Sequence, residues 1–245
     1  MSEPIAPSAP ATGESDMSTA ETLTGIFFEP SRTFEALRVR PRFLVAGLIL
    51  LALACIVTVV LYTRVDMGQL IRERMERSPN AAQQTEQQKE MGARIGKTFG
   101  MFVVPASVPI AIAAGSALYL LGVLVFGGSI TYKKSLSVWT YSWLPPSILG
   151  ALLAIIILFV KDPESIDPEK MVATNPGALF GPDSPRVLVA LLSQFDLLRF
   201  FGLYLAALGL RKVAKLSSGQ AWGVVLSLWF LGLLFSVAAA GIFGS

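Results

Sequence analysis

The sequence predicts an all-α polytopic membrane protein, a five-helix transmembrane bundle with short interfacial N-terminal helices. Three observations lead there. Hydrophobic residues make up 53% of the 245-residue chain and charged residues 15%, with a mean hydropathy of +0.61, more apolar than a water-soluble domain sustains. The apolar residues gather into five runs, near 44–62, 101–126, 144–160, 187–210 and 221–243. Crossing about 30 Å of hydrocarbon at about 1.5 Å per helical residue takes roughly 20 residues. Four runs meet this outright, and the third meets it with part of the aromatic segment before it. Finally, arginines and lysines cluster beside the runs, where lipid headgroups lie.

The inventory also excludes chemistry. With no histidine there is no imidazole base, no Ser/His/Asp or Cys/His nucleophile and no histidine-ligated metal. The chain is therefore read as non-enzymatic, with no cofactor and no metal site. Cys55 has no intrachain partner and sits in an apolar run, so it reads as a small buried hydrophobe. A net charge of +3 would suggest nucleic acid for a soluble domain. Here its placement beside apolar runs argues for membrane lipids as partners and against nucleic acid.

Residues 1–17, MSEPIAPSAPATGESDM, lack an apolar period and read as a disordered tail. They lack the basic start and apolar core of a secretory signal. Residues 18–43 read as interfacial amphipathic helices. Ser18 with Glu21 forms a capping box ahead of Leu23, Ile26 and Phe27, and a second helix begins near Pro30 with Phe34 and Leu37 one turn apart. Residues 44–245 form one membrane domain with spans at about 44–62, 101–126, 139–160, 186–210 and 221–243. Within it, KKSLSVWTYSWLPP carries Trp139, Tyr141 and Trp143 before a double proline, an expected aromatic belt leading into a helix that starts at Pro145.

Orientation follows from the basic residues. Arg32, Arg38, Arg40 and Arg42 precede the first span, Lys133 and Lys134 lie between the second and third, and Arg211, Lys212 and Lys215 between the fourth and fifth. With five spans all three groups share one side, which the positive-inside rule makes cytoplasmic. The C-terminus then lies outside, as does the loop KDPESIDPEKMVATNPGALFGPDSP. The other outward segment, 63–99, mixes Arg and Glu at helical spacing in GQLIRERMERS and reads as a solvated helix turned at Ser78-Pro79-Asn80 into a second. Its GARIGKT (92–98) imitates a phosphate-binding loop but has three residues between the glycines where four are needed.

The candidate site inside the membrane is Asp196 with Arg199, three positions apart in SQFDLLRFFGLYLAALGLRK. In a span running from about 185 to 210 they share one helical face, can pair, and offset a burial cost of roughly 2.5–3.5 kcal/mol each. That face continues through Phe200, Leu203 and Ala207, with Ser193 at its edge. The alternative is a span starting near Phe195, with Asp196 at a helix N-terminus and Arg199 reaching toward headgroups. Small residues at four-residue steps, Gly232/Ser236/Ala240, Ala111/Gly115 and Gly202/Ala206, let helices approach closely. They serve internal packing, or a face for a homo-oligomer.

Three segments carry a family resemblance: GIFFEPSRTFEAL with RPRF (25–43), TYKKSLSVWTYSWLPPSILG (131–150) and FDLLRFFGLYLAALGLRKVAKLSSGQAWGVVL (195–226). In these the chain resembles the bacterial branch of the Ypt-interacting protein (Yip) family. The resemblance implies five spans in the bacterial cytoplasmic membrane, a cytoplasmic N-terminus and a short C-terminus on the far side. Eukaryotic relatives work in vesicle traffic and bind prenylated Rab-type GTPases. Their D-[LI]-Y-G-P motif is absent here, and LFGPDSP (179–185) only echoes it in a different loop, so that partner is not carried over. The function expected is a membrane scaffold or interaction protein of the Yip type. Its cytoplasmic face of Arg38, Arg40, Arg42, Lys133, Lys134, Arg211 and Lys212 would meet anionic lipid and a protein partner. The alternative is a small channel, transporter or lipid-moving protein using Asp196 and Arg199, with Tyr204 beside them.

Overall fold

A computed structural model describes residues 17–76, 84–168, 170–181 and 184–242. The expected disordered tail, apart from Met17, and the turn at Ser78-Pro79-Asn80 lie outside the described residues. Among those described there is no strand. The chain forms α1 (Thr19–Phe28), α2 (Pro30–Val39), α3 (Leu44–Arg64), α4 (Met67–Glu76), α5 (Glu86–Val125), α6 (Tyr132–Val160), α7 (Arg186–Leu192), α8 (Leu197–Val213) and α9 (Ser218–Ile242). Helices α3, α5, α6 and α9 are each long and apolar enough to cross a membrane, and α7 with α8, bent by 46° at their break, add a fifth if the pair counts as one span.

The N-terminal helices start where the caps dictate. Ser18 Oγ accepts from the Glu21 N–H at 3.1 Å while a Glu21 carboxylate oxygen accepts from the Ser18 N–H at 2.6 Å, and Pro30 opens α2. Their apolar faces turn into the bundle. Phe34 and Leu37 are fully buried, and Phe34 occupies a notch at Gly209 of α8, where an added Cβ would lie 2.8 Å from the ring. The Thr22 and Tyr141 hydroxyls share a buried hydrogen bond of 3.0 Å. Phe27, Phe28 and Val39 remain on the exposed side.

The third span differs from the expectation. No helix starts at Pro145: Thr131 caps α6 through the Lys134 N–H, and the helix runs on through Pro145 and Pro146. A proline removes only its own N–H, and inside a membrane bundle the surrounding helices hold the geometry. Both prolines are buried here. The aromatic residues are consequently internal packing instead of a belt. Tyr141 is 1% exposed, an added Cβ at Gly115 would lie 1.8 Å from the Trp139 indole nitrogen, and one at Gly202 would lie 2.9 Å from Trp143. Buried hydroxyls on this helix find carbonyls nearby: Thr140 donates to Leu136, Ser142 to Val138, and Ser135 crosses to Ser116 of α5 at 2.6 Å.

Helix α4 and the start of α5 form the expected paired helices. Thr85 and Gln88 make a second capping box at the start of α5, and the glycines of GARIGKT bring it against α4. A Cβ at Gly92 would lie 2.7 Å from Met75, and one at Gly96 would lie 3.2 Å from Ile71. Ion pairs Arg72–Glu86 (2.9 Å) and Arg74–Asp167 (3.0 Å) tie this hairpin together and to the loop after α6. The backbone N–H groups of Gln69 and Gly68, then Lys97, hold the exposed Asp66 carboxyl below its usual range.

The two ends of the bundle are closed differently. At one, α5 closes with Gly127 at φ 78° and the Gly128 N–H on the Val123 carbonyl. There Gln220 donates to the Phe126 carbonyl at 2.8 Å and Lys212 pairs with Glu35 at 2.5 Å. At the other, Arg64 donates to the Leu158 carbonyl at 3.1 Å and lies 5.2 Å from the Phe159 ring, closing the last turn of α6.

Phe34→Ala removes a fully buried ring and is expected to cost about 3–5 kcal/mol on the scale of soluble cores. Thermal unfolding in detergent should show a clear drop in Tm for it and almost none for Phe28→Ala, whose ring is 84% exposed.

Candidate functional site

The expected Asp196–Arg199 ion pair does not form. The span from 185 to 210 is not one helix, because α7 ends at Leu192 and α8 begins at Leu197. Asp196 is the N-cap of α8: its Oδ1 accepts from the Arg199 N–H at 3.0 Å. This matches the alternative reading in that Asp196 stands at a helix N-terminus. The carboxylate's other oxygen accepts from Thr174 Oγ1 at 2.7 Å and Asn175 Nδ2 at 3.3 Å. The Leu197 N–H donates to the Thr174 carbonyl at 3.2 Å. The guanidinium of Arg199 turns instead to the Gln194 side-chain carbonyl.

Gln194 fastens the break to α9. Its amide donates to Ser236 Oγ at 3.0 Å, and its backbone carbonyl accepts the Trp229 indole N–H at 3.4 Å. Rings of Phe195, Phe200 and Trp229 close around it, with centroids 5.6–6.2 Å apart. Farther along α8, Leu203 and Ala207 face the bundle as expected. Twelve residues separate Arg199 from Arg211, about 18 Å along a helix, so the break lies well below the basic end.

A cleft of about 470 Å³ opens at the break, with Lys170, Asn175, Ser193, Asp196 and Arg199 among its lining residues and Trp143 of α6 at one wall. Tyr204 is half exposed and lies outside this lining. Sequence reasoning missed Thr174, Asn175, Lys170 and Gln194. The signal available was SQFD, three polar residues interrupting an apolar run, and the turn-forming TNPG twenty residues before it.

The basic residues converge on the opposite end, but unequally. Arg42 donates to the Met17 carbonyl at 3.0 Å and to Thr19 Oγ1 at 3.2 Å, so it pins the N-terminal helix. Lys212 is engaged by Glu35. Arg40, Lys133 and Arg211 are exposed, and Arg38 and Lys134 are half-buried. Lys215, exposed at φ 56°, adds to them as the left-handed residue ending α8. Of the small-residue ridges, Gly115 and Gly202 receive tryptophans and Ser236 receives Gln194, whereas Gly232 faces open space.

Asp196→Ala removes a cap and strands the Thr174 and Asn175 donors, at about 1–3 kcal/mol. Asp196→Asn keeps the cap. Asn has a single acceptor oxygen and gives up the one that Thr174 and Asn175 donate to, so melting curves in detergent should place the Asn variant between the Ala variant and the unsubstituted protein.

The Yip1 domain matches residues 24–240. The membrane protein YknW of Bacillus subtilis (strain 168) is 30% identical over 228 residues, covering 89% of this chain and 93% of YknW. No solved structure matches. The all-helical bundle, its apolar spans and a family match across most of the chain agree, and the chain belongs to the Yip1 family of integral, multi-pass membrane proteins.

Proposed function

We propose that this protein is a non-enzymatic membrane scaffold whose basic end, on the cytoplasmic side, engages anionic lipid headgroups and a partner protein. One observation carries the reading: basic segments at 38–42, 133–134 and 211–215, far apart in sequence, meet at one end of the bundle. Juxtamembrane Lys and Arg attract anionic lipid by about 1 kcal/mol each. The exposed Phe27, Phe28 and Val39 on the neighbouring α1–α2 surface supply apolar contact for the same layer. The lack of histidine supports a role without catalysis.

A second reading, a small transporter or lipid-moving protein using Asp196 and Arg199, is favoured by the cleft that touches both. Liposome flux separates the two. In a scaffold, Asp196→Asn with Arg199→Met leaves flux at the background of empty liposomes, as does the unsubstituted protein; a transporter shows flux that this double change abolishes. Lys133→Glu, Lys134→Glu and Arg211→Glu together are expected to erase a salt-sensitive preference for anionic over zwitterionic lipid around the protein. Spin-labelled lipids measure that preference, and its persistence in the triple variant would refute the basic-end reading.

A further inference from the structure

A second cavity adjoins the cleft at the break. It has a volume of about 620 Å³, and its lining is apolar: Leu53 and Val57 of α3, Val108 of α5, Ala151 and Ala154 of α6, and Met171 of the loop. Both volumes fall in the range of about 300–1,000 Å³ typical of small-molecule sites. Trp143 and Ser147 line both, and loop residues alternate between them, Lys170 and Ala173 on the cleft and Met171 and Val172 on the apolar side. The two together are an amphipathic site, polar at one end and apolar at the other, roofed by one loop.

Charge defines what the polar end would hold. Among the described residues, the cleft carries two cations, Lys170 and Arg199, against one carboxylate, Asp196. That carboxylate is already engaged by Thr174, Asn175 and the Arg199 N–H. Arg199 has five N–H donors and, among the described residues, gives one bond, to Gln194. Lys170 gives one to the Phe180 carbonyl. The free donors match the oxygens of a phosphate or carboxylate, which a guanidinium holds in a bidentate fork. Non-helical backbone at membrane depth is tolerated where it lines such a cavity.

We infer that this paired cavity is a lipid site, taking an anionic phospholipid with its phosphate on Arg199 and Lys170 and one acyl chain in the apolar pocket between α3, α5 and α6. The site lies away from the basic end and stands independently of the scaffold reading. It would exist in a scaffold as a structural lipid and in a lipid-moving protein as the cargo position.

The test uses the full chain in a neutral detergent, titrated with phosphatidylglycerol or phosphatidylcholine carrying brominated acyl chains. Bromine quenches indole fluorescence on contact, and Trp139 and Trp143 line the apolar pocket. The expected result is saturable quenching, lost in Trp139→Phe with Trp143→Phe, and at least tenfold tighter for phosphatidylglycerol. Arg199→Gln with Lys170→Gln should bring phosphatidylglycerol to the weaker value, leave phosphatidylcholine unchanged and retain the quench at saturation, which an unfolded protein would not. Arg199→Lys should recover part of the preference. Equal affinity for the two headgroups, quenching that never saturates, or a double variant with full preference would overturn the proposal. Complete displacement of the lipid by inorganic phosphate alone would also overturn it, assigning the cleft to a free anion.

Discussion

Hydrocarbon offers a backbone no water, so every N–H and carbonyl exposed by a broken helix must find a partner in the protein. At the break between α7 and α8, which interrupts an apolar run, the surrounding structure supplies such partners. The loop after α6 folds back so that Thr174 gives its carbonyl to Leu197 and its hydroxyl to Asp196. Asp196 in turn caps the first turn of α8, and Gln194 ties the opened segment to α9 through Ser236 and Trp229. The polar residues that look out of place in an apolar run are the means by which that run can bend. Their arrangement leaves a cleft, because a short helix entering at an angle cannot fill the space a straight one would occupy.

A second constraint shapes the bundle's centre. Without water to drive helix association, contact area decides it, and α6 gains area by seating large aromatic residues over glycines of its neighbours. Trp139 sits over Gly115, Trp143 over Gly202, and Phe34 reaches from α2 to Gly209. The same pattern explains why the N-terminal helices belong to the fold: the Thr22–Tyr141 hydrogen bond and the Arg42 contacts to Met17 and Thr19 fix them to the basic end. That end is thereby a defined surface, and two of its seven expected cations, Arg42 and Lys212, have become struts.

The long apolar helices, the capping box at Ser18 and the pairing of α4 with the start of α5 were legible because each depends on local spacing: apolar run length, a four-residue cap, charges at helical intervals. The start of α6 was not. Proline at position 145 ends a helix in water, and only the flanking helices, invisible in a single sequence, allow it to continue. The fate of Asp196 and Arg199 was half legible. Their spacing suits a pair on one face and equally an N-cap with its N3 residue, and the deciding partners, Thr174 and Asn175, lie twenty residues away in a loop whose return to the break no local pattern encodes. The cleft itself was out of reach for the same reason.

The account rests on the basic end and the polar break opening to opposite surfaces of one membrane. In a Cys55→Ser background, single Ala178→Cys and Lys133→Cys variants can be exposed to a membrane-impermeant maleimide in sealed right-side-out and inverted vesicles. Ala178 lines the cleft and Lys133 is exposed at the basic end. The account predicts labelling of Ala178→Cys only from outside and of Lys133→Cys only from the cytoplasmic face. Labelling of both from the same side, or an Ala178→Cys thiol inaccessible from either, would contradict it.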